Sequence, residues 1–97
     1  MILDAGFLIS VERREEPARA FLAATLRSGT TLHTTAPVVA QVWRGGSRQF
    51  HLSSLLKTVP AHPLDDGPAV GRLLAESQTS DVVDAHLALV AVRLGCD

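Results

Sequence analysis

Apolar and polar positions follow two rhythms along this chain, one of strands and one of helices. Met1–Asp4 is a short apolar run ending in an acid, and Ala5-Gly6 follows, which predicts a first strand with a tight exit. Phe7–Val11 predicts a short helical turn ahead of the charged stretch Glu12–Glu16. Pro17 then opens an amphipathic helix, because Ala18, Phe21, Leu22, Thr25 and Leu26 fall on one face at helical period. Gly29 is its natural stop. Thr30–Thr35 reads as a second strand. Pro37 starts a helix with Val38, Val39, Val42 and Trp43 on one side, Trp43 in the core, and Gly45-Gly46 as its end. Arg48–Thr58 is helical through Phe50, Leu52, Leu55 and Leu56, and Val59–Leu64 is a short third strand between Pro60 and Pro63. Asp65 or Asp66 caps a helix that runs to Ser77, with Val70, Leu73 and Leu74 inward.

The last helix differs in kind. From Asp81 to Leu94 it is apolar nearly all round, which predicts burial on most sides, with Ser80 or Thr79 as its cap. Strand–helix alternation of this sort predicts an α/β fold, a parallel sheet with helices on its faces. The chain closes on Gly95-Cys96-Asp97, where a further strand is due, so the expectation is a single domain over 1–97 whose C-terminal strand region is absent.

Composition narrows the class. With 97 residues, 46% hydrophobic and 20% charged, the chain is a single globular domain and is not disordered. No apolar run is long enough for a membrane span, and the start lacks the basic region of a signal peptide, so a cytoplasmic protein is expected. One cysteine, Cys96, excludes an internal disulfide and predicts an inert thiol. Net charge is −1, but it is unevenly spread. Residues 1–57 hold seven Lys/Arg against four acids, and residues 58–97 hold two against six. That split allows a polyanion on one side and a cation on the other, or simply two solvated faces.

The candidate chemistry is carboxylate chemistry. Asp4 sits at the carboxyl end of the first predicted strand, where parallel α/β sheets place ligands and where an Asp also caps turns. Asp84 lies inside an apolar helix, and Asp81 precedes it on the same face. Two such carboxylates repel unless a cation lies between them, and Mg²⁺ or Mn²⁺ prefers oxygen ligands of this kind. Gln41 carries an amide where a further carboxylate would serve, and Arg44 can grip a phosphate bidentately or close a helix C-terminus. His33, His51, His62 and His86 show no metal-ligand spacing and read as structural or surface residues.

Three segments carry a resemblance: Leu3-Asp4-Ala5-Gly6, the run from Ala36 to Gly46, and Thr79-Ser80-Asp81-Val82-Val83-Asp84-Ala85. In order and spacing they resemble PIN domains, and within them VapC-type toxins of toxin–antitoxin pairs of actinobacterial type. The resemblance implies a three-layer α/β/α PIN-like fold with a central parallel sheet, truncated before its last strand. It implies a metal-dependent endoribonuclease that forms a homodimer and is inhibited by a VapB-type antitoxin. Asp4 and Asp84 would then hold Mg²⁺ or Mn²⁺, with Asp81 an accessory catalytic acid and Arg44 and Gln41 toward the RNA. Two positions depart from the pattern. The family's middle-helix Glu falls on Gln41, a weaker ligand, and its last acid would lie beyond Asp97.

Two other classes stay open. A catalytically degenerate chain would only bind an antitoxin or dimerise, as Gln41 and the missing acid suggest. A phosphoryl-transfer or receiver-like domain would use Asp4 as nucleophile, but it lacks a second Asp two residues on, where Gly6 stands.

Overall fold

The computed structural model describes residues 1–95. These form six α-helices, α1 (Ala5–Glu12), α2 (Glu16–Ser28), α3 (Ala36–Val42), α4 (Phe50–Leu56), α5 (Gly67–Ser77) and α6 (Val82–Leu94), with a 3-10 turn at Ser47–Gln49. Strands β1 (Thr34–Thr35) and β2 (Ala61–His62) pair in parallel, Thr34 opposite Ala61 and Thr35 opposite His62. Ile2 makes a single parallel bridge to His33.

The described residues therefore do not form the three-layer α/β/α fold with a central parallel sheet. The described residues are 65% helical, and among them the sheet is two short strands. The strand rhythm was right in place and wrong in extent, because each extended run feeds directly into a capped helix. Asp4 accepts the Phe7 N–H and starts α1 immediately after the Ile2 bridge, so Ala5 and Gly6 are helix rather than exit. Thr35 accepts the Val38 N–H and starts α3, which ends β1 after two residues. The third run is bracketed by Pro60 and Pro63, which cannot donate to a ladder. The Cys96 thiol, expected to be inert, lies outside the described residues.

The helices match the sequence more closely. Pro17 stands in the first turn of α2, and Gly29 ends it at φ 72°, a left-handed conformation that glycine adopts without a Cβ penalty. Asp66 caps α5 through the Ala69 N–H. Asp81 is itself the cap of α6, in place of Ser80 or Thr79, because its side chain accepts the Asp84 N–H.

The core gathers Leu3, Leu8, Val38, Val42, Leu52 and Val59, with Phe7, Phe21, Leu55, Leu56, Val83 and Leu87 packed against it. Helix α1 lies on α2, α3 and α4, while α6 lies on α3, α5 and β1. Phe7 and Phe21 meet edge to face at 5.2 Å, joining α1 to α2. Two expectations of burial fail. Trp43 lies past the end of α3 and is 42% exposed. Helix α6 turns Ala85, His86 and Val90 inward but leaves Val82 and Val92 in solvent, Val92 at 77%. An all-round apolar helix says that burial is possible on every side; neighbours decide which sides receive it.

Candidate carboxylate site

Asp4 and Asp84 come from opposite ends of the chain and line one cleft of about 340 Å³ with Ile2, Leu87, Ala88 and Ala91. The placement of Asp4 starts with backbone pairing. Leu3 N–H donates to the His33 carbonyl at 2.7 Å, and buried Thr34 donates its hydroxyl to the Leu3 carbonyl at 2.9 Å. That holds the first segment against β1 and delivers Asp4 at its end. Asp4 Oδ1 accepts the Phe7 N–H at 2.8 Å, and the side chain is exposed.

Asp84 reaches the cleft through helical spacing. Asp84, Ala88 and Ala91 follow one stripe of α6, and the two small methyl side chains leave open space beside the carboxylate. On its other flank Asp84 also lines a cleft of about 290 Å³ between α5 and α6, with Leu73, Ser77, Thr79, Asp81, Ala85 and Ala88. Asp81 and Asp84 thus stand together, as the sequence spacing predicts. The negative charge of Asp81 raises the Asp84 pKa above its ordinary value. Partial desolvation, a hydrogen bond with Asp81 and the charge of Asp4 push it the same way. Three carboxylates share one neighbourhood, and Asp84 feels both of the others.

The residues assigned to RNA are elsewhere. Gln41 is exposed on α3 and Arg44 follows its end, and neither lines either cleft. The Arg44 guanidinium donates to the Trp43 carbonyl at 2.7 Å and to the Ala40 carbonyl at 3.4 Å, closing the C-terminus of α3. The helix-end role expected of Arg44 is thus present in the structure.

Gln49 is a structural polar residue that no sequence pattern marks. It is 5% exposed, and its Oε1 accepts the N–H groups of Arg44 and Gly45, each at 2.8 Å. Its amide donates to the Val42 carbonyl at 2.8 Å and to the Glu12 carboxylate. Read linearly, it is one polar residue in a polar run. The histidines divide: His51 is exposed, His86 is buried with Nε2 on the Pro63 carbonyl, and His33 contacts His62.

Among the described residues no group of three or more His, Cys, Asp or Glu is arranged to hold a metal ion. Compared with protein families, curated proteins and solved structures, the chain finds no match. No helix among the described residues is long and apolar enough to cross a membrane.

Proposed function

We propose that this chain is a Mg²⁺- or Mn²⁺-dependent endoribonuclease of the VapC toxin type, acting in the cytoplasm as a homodimer under control of a VapB-type antitoxin. The observation that carries the reading is the convergence of Asp4 and Asp84 on one cleft, with Asp81 beside Asp84. Asp4 and Asp84 would hold the cation. The donor chemistry fits, because Mg²⁺ binds through one or two carboxylates and fills its remaining positions with water and substrate phosphate. When bound, such an ion supplies positive charge against the phosphate and a more acidic water.

The chain's own residues do the rest. Asp4 is held in place by its cap bond to Phe7, so its free rotation is already restricted before anything binds. Asp81 keeps negative charge on Asp84's flank and favours a cation there. The exposed arginines of the first half, among them Arg13, Arg14, Arg19 and Arg48, attract the RNA backbone without reading its sequence.

A second reading is favoured by a specific feature. Asp4 and Asp81 each commit Oδ1 to a helix cap, and Gln41 stands off the cleft, which suits a degenerate chain that only binds antitoxin or dimerises. Cleavage of total RNA with and without Mn²⁺, beside Asp84→Asn, separates the two. Asp84 caps no helix through its side chain, so the variant should fold. Metal-dependent cleavage lost in Asp84→Asn supports the ribonuclease. No cleavage by the folded parent supports the binding-only reading, and undiminished cleavage by the variant removes these carboxylates from the reaction.

A further inference from the structure

His33 and His62 share a face of the short parallel ribbon, one beside β1 and one in β2, with His33 Nδ1 3.0 Å from His62 Nε2. Both rings are half-buried, with centroids 5.1 Å apart. One nitrogen must donate and the other accept, so the contact requires that at least one ring be neutral. His33 is also the residue through which the first segment is held: its carbonyl takes the Leu3 N–H and its own N–H goes to the Met1 carbonyl. Thr34, next along, donates its N–H to the Pro60 carbonyl at 2.9 Å, so the same few residues bind both neighbours.

We propose that the His33–His62 contact is an acid-opened latch on the ribbon of parallel segments that carries Asp4. With one ring neutral, the side-chain bond ties β2 to the His33 segment and reinforces backbone pairings that number only a handful. When both rings are charged, two donors face each other and two positive charges adjoin, so the bond becomes a repulsion. Around His33 the surroundings add to that repulsion, while near His62 the exposed carboxylate of Asp65 opposes it. Burial is the largest cost of charging the His33 ring, and His62 and then the Met1 amino group add positive charge beside it. Around His62, a cavity of about 140 Å³ is lined by Asp65, His86 and Arg93. Arg93 is already paired with Asp66, and His86 is held on Pro63. Of the other elements against the ribbon, α6 contributes Asp84, His86 and Arg93, and α3 contributes no titratable group. The proposal concerns the fold and stands whether or not the chain cleaves RNA.

The test is amide exchange followed by NMR on the full chain, from about pH 7.5 to about pH 5, across the histidine range. Protection factors of the Leu3 and Thr34 amides should fall by about fivefold as both rings charge, the net worth of one lost hydrogen bond. Amides of α6 should hold theirs. In His62→Gln the side-chain amide can donate or accept, so the bond no longer depends on a second titrating ring and the drop should vanish. Flat protection in the parent overturns the latch, and so does an equal drop in His62→Gln. If that variant does not fold, ring-nitrogen shifts of the parent decide. Linked titration of the two histidines supports the latch, and independent titration of both at the ordinary value overturns it.

Discussion

Asp81 caps the helix that carries Asp84: its Oδ1 accepts the Asp84 backbone N–H at 3.0 Å, while its charge raises the Asp84 side-chain pKa. One residue therefore builds the first turn of α6 and tunes the carboxylate displayed on it. Asparagine caps helices about as well as aspartate but carries no charge. In Asp81→Asn the fold should persist and the Asp84 midpoint should move down toward 3.8, read by carboxyl-carbon NMR titration. The sign follows from linkage. A carboxyl whose folded pKa is raised holds its proton more tightly folded than unfolded, so its contribution favours the fold at acid pH and is lost as pH rises through the raised value. Asp81→Asn should reduce that dependence. An unmoved Asp84 midpoint would show that the two side chains do not interact in solution.

Asp66 behaves in the opposite sense. The Ala69 N–H, then the Arg93 guanidinium at 2.8 Å, lower its pKa below 3.8. Its contribution is present above 3.8 and is lost as pH falls through the lowered value. Asp66→Asn keeps a capping side chain but ends the ion pair that ties the start of α5 to the last turn of α6. Urea midpoints measured from about pH 5 to about pH 2 should fall less steeply for the variant than for the parent. Equal slopes would place the acid sensitivity elsewhere.

Gln49→Leu should destabilise the fold. It strands the Arg44 and Gly45 N–H groups and the Val42 carbonyl, and leaves Glu12 without its amide partner. Buried groups left unsatisfied cost about 1–3 kcal/mol. Urea denaturation of parent and variant measures the loss directly. A neutral result would mean that water replaces the glutamine without penalty.

Leu52→Ala tests the core that α1, α3 and α4 share. Leu52 is fully buried. Truncating a buried leucine removes transfer energy and leaves a cavity, for a loss of about 2–5 kcal/mol. By contrast, Leu26→Ala should change stability by no more than about 0.5 kcal/mol, since Leu26 is 84% exposed. Thermal melts of the two variants should separate clearly, and comparable losses would contradict the assigned core.

The Leu26 contrast also shows where linear reading ended. Ala18, Phe21, Leu22, Thr25 and Leu26 form one face by spacing, yet Ala18 and Thr25 are buried while Leu26 is in solvent. A stripe about one hundred degrees wide predicts its centre better than its edge. The carboxylate pairing was half legible in the same way. Asp81 and Asp84 are neighbours by helical spacing alone, but nothing local connects either to Asp4. Only the pairing of Leu3 with His33 and the packing of α6 on β1 bring Asp4 and Asp84 to one cleft.

What the sequence determined by itself was the set of helices, since those depend on local signals. Pro17 in a first turn, Gly29 in a left-handed stop and Asp66 at a cap act within a few residues of themselves. What only the tertiary structure decided was how far each extended run stays extended, which face of α6 is covered, and whether a polar side chain such as Gln49 faces solvent or the interior. Strand length depends on a partner supplying N–H and C=O groups, and here Asp4 and Thr35 turn the chain into helix before a longer ladder can form. Burial depends on which elements arrive at a surface, and that is a property of the whole chain rather than of any stretch of it.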